Sequence, residues 1–128
     1  MVVDASAVMA ILQQEPEAAR FAERIEAADI RLISAVSVLE IGIVAEARRG
    51  TVGATEVDTF LLTAELEIVP FDGEQAAIAR NAFARFGKGR HAAGLNFGDC
   101  AAYALAASQG LPLLYKGDDF AATDIPAA

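Results

Sequence analysis

Apolar positions along the chain follow two patterns, short uninterrupted runs and longer stretches at helical spacing, and the two alternate. Met1-Val2-Val3 reads as a buried strand that ends on the carboxylate of Asp4. From Ala5 to Gln13 the residues Val8, Met9, Ile11 and Leu12 recur at helical spacing, and Glu15-Pro16 closes that helix and opens a second one with Phe21, Ile25 and Ala28 on one face. Arg31-Leu32-Ile33-Ser34 is the next strand. Ser37 is then the predicted N-cap of a long helix to Arg49, stopped by Gly50, whose apolar stripe is Val36, Leu39, Ile43 and Ala47 with Glu40 beside it. A helix over about 55–65 carries Val57, Phe60, Leu61 and Ala64 inward, and Leu66 to Pro70 reads as a strand. Asp72 or Gly73 starts a helix bearing Ala76, Ala79, Ala82 and Phe83. The glycine-rich, basic interval from Gly87 to Gly94 reads as a structureless loop. Asp99 opens an alanine-rich helix to about Gln109, Gly110 stops it, Leu111 to Tyr115 is a late strand, and Thr123-Asp124-Ile125 a short edge.

Strands alternating with helices predict an α/β fold, a central parallel sheet of about four to five strands covered by helices on both faces. The 128 residues suit a single domain, 1–128, and ligands of such sheets sit just outside the carboxyl ends of the strands. Composition narrows the picture: 55% hydrophobic and 22% charged residues exclude a disordered chain, and no apolar run is long enough to span a membrane. The net charge of -8 counts against gripping nucleic acid by bulk positive charge, so any nucleic acid must be held locally. One cysteine, Cys100, and no export segment point to a reducing cytoplasm.

Most of the 18 acidic residues fall on predicted solvent faces or helix starts. Asp4, Glu40, Asp99 and the pair Asp118-Asp119 stand apart. Singly, each has a structural explanation: Asp4 and Asp99 as helix caps, Glu40 in an ion pair with an arginine, Asp118-Asp119 as a turn. Asp4, Asp99 and the Asp118-Asp119 pair, however, lie at strand ends or helix starts that a parallel sheet brings to one edge. Crowded carboxylates repel unless cations neutralise them, and an all-oxygen set suits Mg²⁺ or Mn²⁺. One cysteine and one histidine cannot build the usual zinc site. Carboxylate-held divalent ions are what phosphodiester hydrolysis by water requires, with no covalent nucleophile.

The segments Met1 to Ala7, Ser37 to Glu40, Leu95 to Ala106, and Pro112 to Phe120 with Thr123-Asp124 together resemble the PIN-domain ribonucleases, most closely the toxin subunits of VapBC-type toxin–antitoxin pairs. The likeness runs through nearly the whole chain in order. It implies a PIN-like three-layer sandwich and a Mg²⁺- or Mn²⁺-dependent endoribonuclease. Asp4, Glu40 and Asp99 would be catalytic and metal-holding, with Asp119 taken as the fourth acid and Asp118 beside it left open. It also implies that Ser6 supports the site from behind, that the protein is a homodimer, and that an antitoxin's C-terminal segment covers the active site. Four of the ten basic residues, Arg80, Arg85, Lys88 and Arg90, precede the Asp99 motif with His91 adjacent, and Lys88 and Arg90 are the candidate RNA-holding rim. Two other classes fit the pattern less well. A receiver-type signalling domain wants adjacent acids after the first strand, where Asp4 stands alone, and a catalytically silent PIN-fold binding module is disfavoured by retention of all the acids.

Overall fold

The computed structural model describes residues 1–128. Four short strands, β1 (Val2–Val3), β2 (Leu32–Ser34), β3 (Glu67–Val69) and β4 (Leu113–Leu114), form one parallel sheet in the order β3-β2-β1-β4. Val2 sits opposite both Leu32 and Leu113. Parallel strands need crossovers, and five helices supply or flank them: α1 (Ala5–Leu12), α2 (Ala18–Ala27), α3 (Ala35–Thr63), α4 (Gly73–Phe86) and α5 (Phe97–Gln109).

Alternation along the strands divides the interior in two. Val3, Ile33 and Leu114 face one way and pack with Val8, Phe21, Ile25, Ile41, Val57 and Leu61 of α1, α2 and α3. Val2, Leu32 and Leu113 face the other way, against Ala82 and Phe86 of α4 and the interior side of α5. The result is the expected three-layer sandwich. The sheet lies buried between helices on both faces, which is why its strands read as continuous apolar runs.

Four details differ from the sequence reading. Ser34, not Ser37, caps α3, its hydroxyl accepting from the Val36 N–H, and Ser37 is buried one turn inside the helix. The apolar stripe on α3 is displaced: Ser37, Ile41 and Ala45 point inward, whereas Leu39 and Ile43 are 64% and 59% exposed and Ala47 is exposed too. Small residues let the helix lie close to the sheet, and hydropathy alone passes over them. The segment from Gly87 to Gly94 is ordered rather than structureless. Gly87 bridges Leu95, the Lys88 N–H donates to the Leu95 carbonyl at 2.9 Å, and Ala93 and Leu95 are buried. Finally, Thr123 to Ile125 is no strand. Ala127 instead bridges β4 at Leu113, and the chain before it forms a short 3-10 turn, Phe120–Ala122.

Gly50, expected to end the helix begun before it, takes φ 59° and ψ −143°, a conformation that favours glycine, and it breaks α3 into halves over 35–49 and 51–63. The second half overlaps the predicted helix over about 55–65 but starts four residues earlier and ends at Thr63.

Candidate active site

In this sheet β1 and β2 run consecutively to one side while β4 adds on the other, so the chain reverses direction beside β1, where open parallel sheets bind ligands. Asp4 is the first residue beyond β1. Its N–H donates to the Leu114 carbonyl at 2.9 Å, which fixes it at the seam between β1 and β4. Asp4 is 3% exposed and caps α1. Ser6 gives Asp4 Oδ2 two hydrogen bonds, from its N–H at 3.0 Å and from its hydroxyl at 2.5 Å. The same hydroxyl accepts the Lys116 N–H at 3.0 Å, tying Asp4 to the segment after β4. Oδ1 of Asp4 takes part in neither bond.

Asp99 reaches the same place from the start of α5. Asn96, rather than Asp99, caps this helix: the Asp99 N–H donates to Asn96 Oδ1 at 2.9 Å and the Asn96 N–H donates to Asp99 Oδ2 at 3.0 Å. This reciprocal pair satisfies two otherwise orphaned N–H groups and immobilises the aspartate while Oδ1 stays out of the cap. Glu40 comes from the first turns of α3 and lies against the first turn of α5. A Cβ placed on Gly98 would stand 2.6 Å from Glu40 Oε2, so the bare glycine makes room for that carboxylate. Asp4, Ser6, Glu40, Asn96 and Asp99 line one small pocket with Met9, Ile41 and Val44.

The carboxylates feel one another. Burial pushes Asp4 above the ordinary aspartate range despite the opposing Ser6 hydrogen bonds, and the Glu40 charge adds to the rise. Burial also raises Glu40, with the Asp99 charge adding. Asp99 is pushed up to about 6, chiefly by desolvation, against the stabilising Asn96 N–H, with Asp4 and Asp119 contributing repulsion. Asp119 therefore acts electrostatically on the group, whereas Asp118 lines a different cleft beside Arg20 and Arg24 of α2. None of the four acids has a basic side chain in ion-pair contact. Lys116, the nearest in sequence, turns its ammonium to Glu15 at 2.8 Å and Glu17 at 3.5 Å. The arginine partner considered for Glu40 is absent.

Mutual repulsion of one buried and two half-buried carboxylates with no protein cation fits a hard divalent ion, as does the all-oxygen donor set. As the side chains stand, no three of them are gathered closely enough to hold an ion. Hydrogen bonds hold Asp4 and Asp99, so Glu40 and Asp119 are the side chains that would have to rotate to gather around an ion.

Other candidates lie apart. Arg90 borders an apolar groove next to α5, its guanidinium carbon 5.5 Å from the Phe83 ring centroid, and Lys88 is exposed on the same loop. His91 is a loop fastener: Nδ1 accepts the Ala93 N–H at 3.0 Å and its ring meets Phe86 edge-on at 5.2 Å. Asp124, left in the sequence as part of a short edge, accepts from the Tyr103 hydroxyl at 2.6 Å and from Arg85 at 2.8 Å. Asn96 was not singled out, although the Asn-x-x-Asp spacing ahead of an apolar helix is a cap signature.

A pocket holding three carboxylates at the carboxyl edge of a four-stranded parallel sheet defines a small acidic-site α/β domain, and comparison with known proteins gives it a family. The PIN domain family model matches residues 1–126, and the chain belongs to that family. It is 50% identical over 125 residues to ribonuclease VapC30 of Mycobacterium tuberculosis, covering 98% of this chain and 95% of that protein. It is 47% identical over 127 residues to ribonuclease VapC of Mycolicibacterium smegmatis, covering 99% and 98%. Among solved structures the fold superimposes on Mycobacterium tuberculosis VapC20, described as a sarcin-ricin loop cleaving toxin, with TM-score 0.76, 17% identity and coverage of 99% and 97%. VapBC2 from Rickettsia felis, bound to a promoter DNA fragment, matches with TM-score 0.77, 13% identity and coverage of 99% and 96%. The receiver-type reading is set aside by this membership.

Proposed function

We propose that this chain is a single PIN domain that hydrolyses RNA phosphodiester bonds with Mg²⁺ or Mn²⁺ and acts as the toxin of a toxin–antitoxin pair in the cytoplasm. The observation that carries the reading is that Asp4, Glu40 and Asp99 line one pocket beside the β1/β4 seam with no basic partner, and that the charge of Asp119 reaches Asp99. The names of the relatives, VapC ribonucleases at 50% and 47% identity, support the substrate class. Structural neighbours solved as VapBC complexes support an antitoxin partner, and the resemblance implies that its C-terminal segment covers the site. No helix is long and apolar enough to cross a membrane.

Asp4, Asp99 and Asp119 would hold the cation, and Glu40 would orient the cation or the attacking water. When bound, the ion supplies Lewis acidity that makes water nucleophilic near neutral pH and offsets charge building on the phosphate. The chain's own residues do the positioning. Ser6 clamps Oδ2 of Asp4, and Asn96 clamps Oδ2 of Asp99, so each carboxylate presents its remaining oxygen in a fixed direction. Water attack leaves a 3′-hydroxyl and a 5′-phosphate. Second copies of the chain would form a homodimer, as is implied for VapBC-type toxins.

The test is cleavage of total cellular RNA by purified protein with Mg²⁺, with Mn²⁺ and with chelator, beside Asp4→Ala and Asp99→Ala variants shown to be folded by circular dichroism. Cleavage that needs the ion, and falls by at least about a thousandfold in both folded variants, is the expected result. Products ending in 2′,3′-cyclic phosphate would contradict water attack. No cutting by any form, and no ion binding in calorimetry, would favour the silent binding module.

A further inference from the structure

Almost every residue of α5 from Gly98 to Ala106 is buried, yet Phe97, at its first position, is 84% exposed. The Asn96–Asp99 capping pair fixes this turn, so the ring is held out on a rigid support. It borders a groove of about 550 Å³ lined by Val36, Phe71, Phe83 and Phe97, with Arg80 and Arg90 among its walls and no acidic side chain. The groove and the carboxylate pocket both draw on α3 and the start of α5: Val36 lies one turn before Glu40, and Phe97 two residues before Asp99.

The charge lining the groove is of one sign, two arginines and no acid. Of the ten basic residues, Arg31, Arg49, Arg85 and Lys116 are in ion pairs, and of the six that are not, Arg80, Lys88 and Arg90 lie together on α4 and the loop after it, the other three being Arg20, Arg24 and Arg48. In a molecule of net charge -8, three unpaired cations on α4 and the loop after it, two of them in an aromatic groove, complement an occupant that is anionic and flat. A nucleotide has both properties. Its base offers a π-face to a ring and its phosphate an acceptor to a guanidinium.

We propose that Phe97 is a stacking platform for an RNA base beside the cleaved phosphate, with Arg80 and Arg90 holding the adjoining backbone. The inference rests on the ribonuclease reading and deepens it, since a ring that must reach the face of a base selects unpaired loops or single strands over duplex. Phe97 is then a substrate-positioning residue with no part in the bond-breaking step.

The experiment is binding of a short labelled single-stranded RNA at low ionic strength, with chelator to prevent cutting, followed by fluorescence anisotropy. Wild type is compared with Phe97→Leu, which keeps apolar bulk, and Phe97→Trp, which keeps a stacking face. We expect Phe97→Leu to bind roughly tenfold or more weakly and Phe97→Trp to match wild type. The Leu penalty should vanish when one particular base of the RNA is made abasic. Equal binding by Phe97→Leu, or a penalty indifferent to every abasic position, would overturn the platform. So would light scattering that shows Phe97→Leu splitting a dimer in step with the loss of RNA, which would make the groove a face between copies. If wild type cuts RNA and Phe97→Leu is indistinguishable, the platform alone falls. If wild type neither binds nor cuts RNA, the ribonuclease reading falls with it.

Discussion

Asp99 is the residue in which cap and chemistry meet. Its Oδ2 completes a helix cap, and its carboxyl titrates near pH 6 because burial and the charges of Asp4 and Asp119 disfavour ionisation. An acid whose folded pKa lies above its unfolded value of about 3.9 binds protons more tightly when folded. It therefore stabilises the fold at low pH and loses that contribution as pH rises through about 4 to about 6. The ion-free protein should gain melting temperature between pH 7.5 and pH 5, and Asp99→Asn should flatten that slope, as thermal unfolding at several pH values would show. A wild-type profile that falls steadily towards pH 5 would mean that the carboxylates do not repel as described. Asp4 was legible in the sequence because it ends the first apolar run. Ser6, two residues on, bonds it directly, whereas the tie from that hydroxyl to the Lys116 N–H, 110 residues away, was not legible.

At the scale of elements, α3 shows how far periodicity reaches. The residues that point inward, Ser37, Ile41 and Ala45, include one aliphatic side chain of any size, whereas Leu39 and Ile43 face out. Ile41→Ala should cost about 2 to 5 kcal/mol in denaturant unfolding, because a fully buried side chain leaves a cavity. Leu39→Ser should stay within about 0.5 kcal/mol, as exposed substitutions do. Comparable costs for the two would restore the stripe read from hydropathy. Helix and strand positions were otherwise legible, since they rest on local pattern and breakers such as Gly50 and Gly110. The order of the loop after α4 was not legible: its glycines and cations hide the burial of Ala93 and Leu95 behind a polar composition.

On the scale of the whole molecule, the site exists because α3 and α5 are pressed together over the seam of β1 and β4. Gly98 is where they touch, and a methyl group there must push the Glu40 carboxylate aside. Gly98→Ala should leave stability within about 1 kcal/mol of wild type, because a helical alanine offsets some of the crowding. RNA cleavage should nevertheless fall roughly tenfold or more through the misplaced acid. Full activity in a folded Gly98→Ala protein would show that Glu40 needs no fixed position.

Sequence by itself determined the alternation of strands and helices, the parallel sheet it requires, and the acids that end up at one edge, because strand ends and helix starts are local features and parallel topology sends them to the same side. Tertiary structure decided what depends on neighbours distant along the chain. It set which face of α3 turns inward, which of Asp118 and Asp119 acts on Asp99, and that Phe97 stands out in solvent. Each of these is an orientation about an axis, and an axis has no inside until another element packs against it.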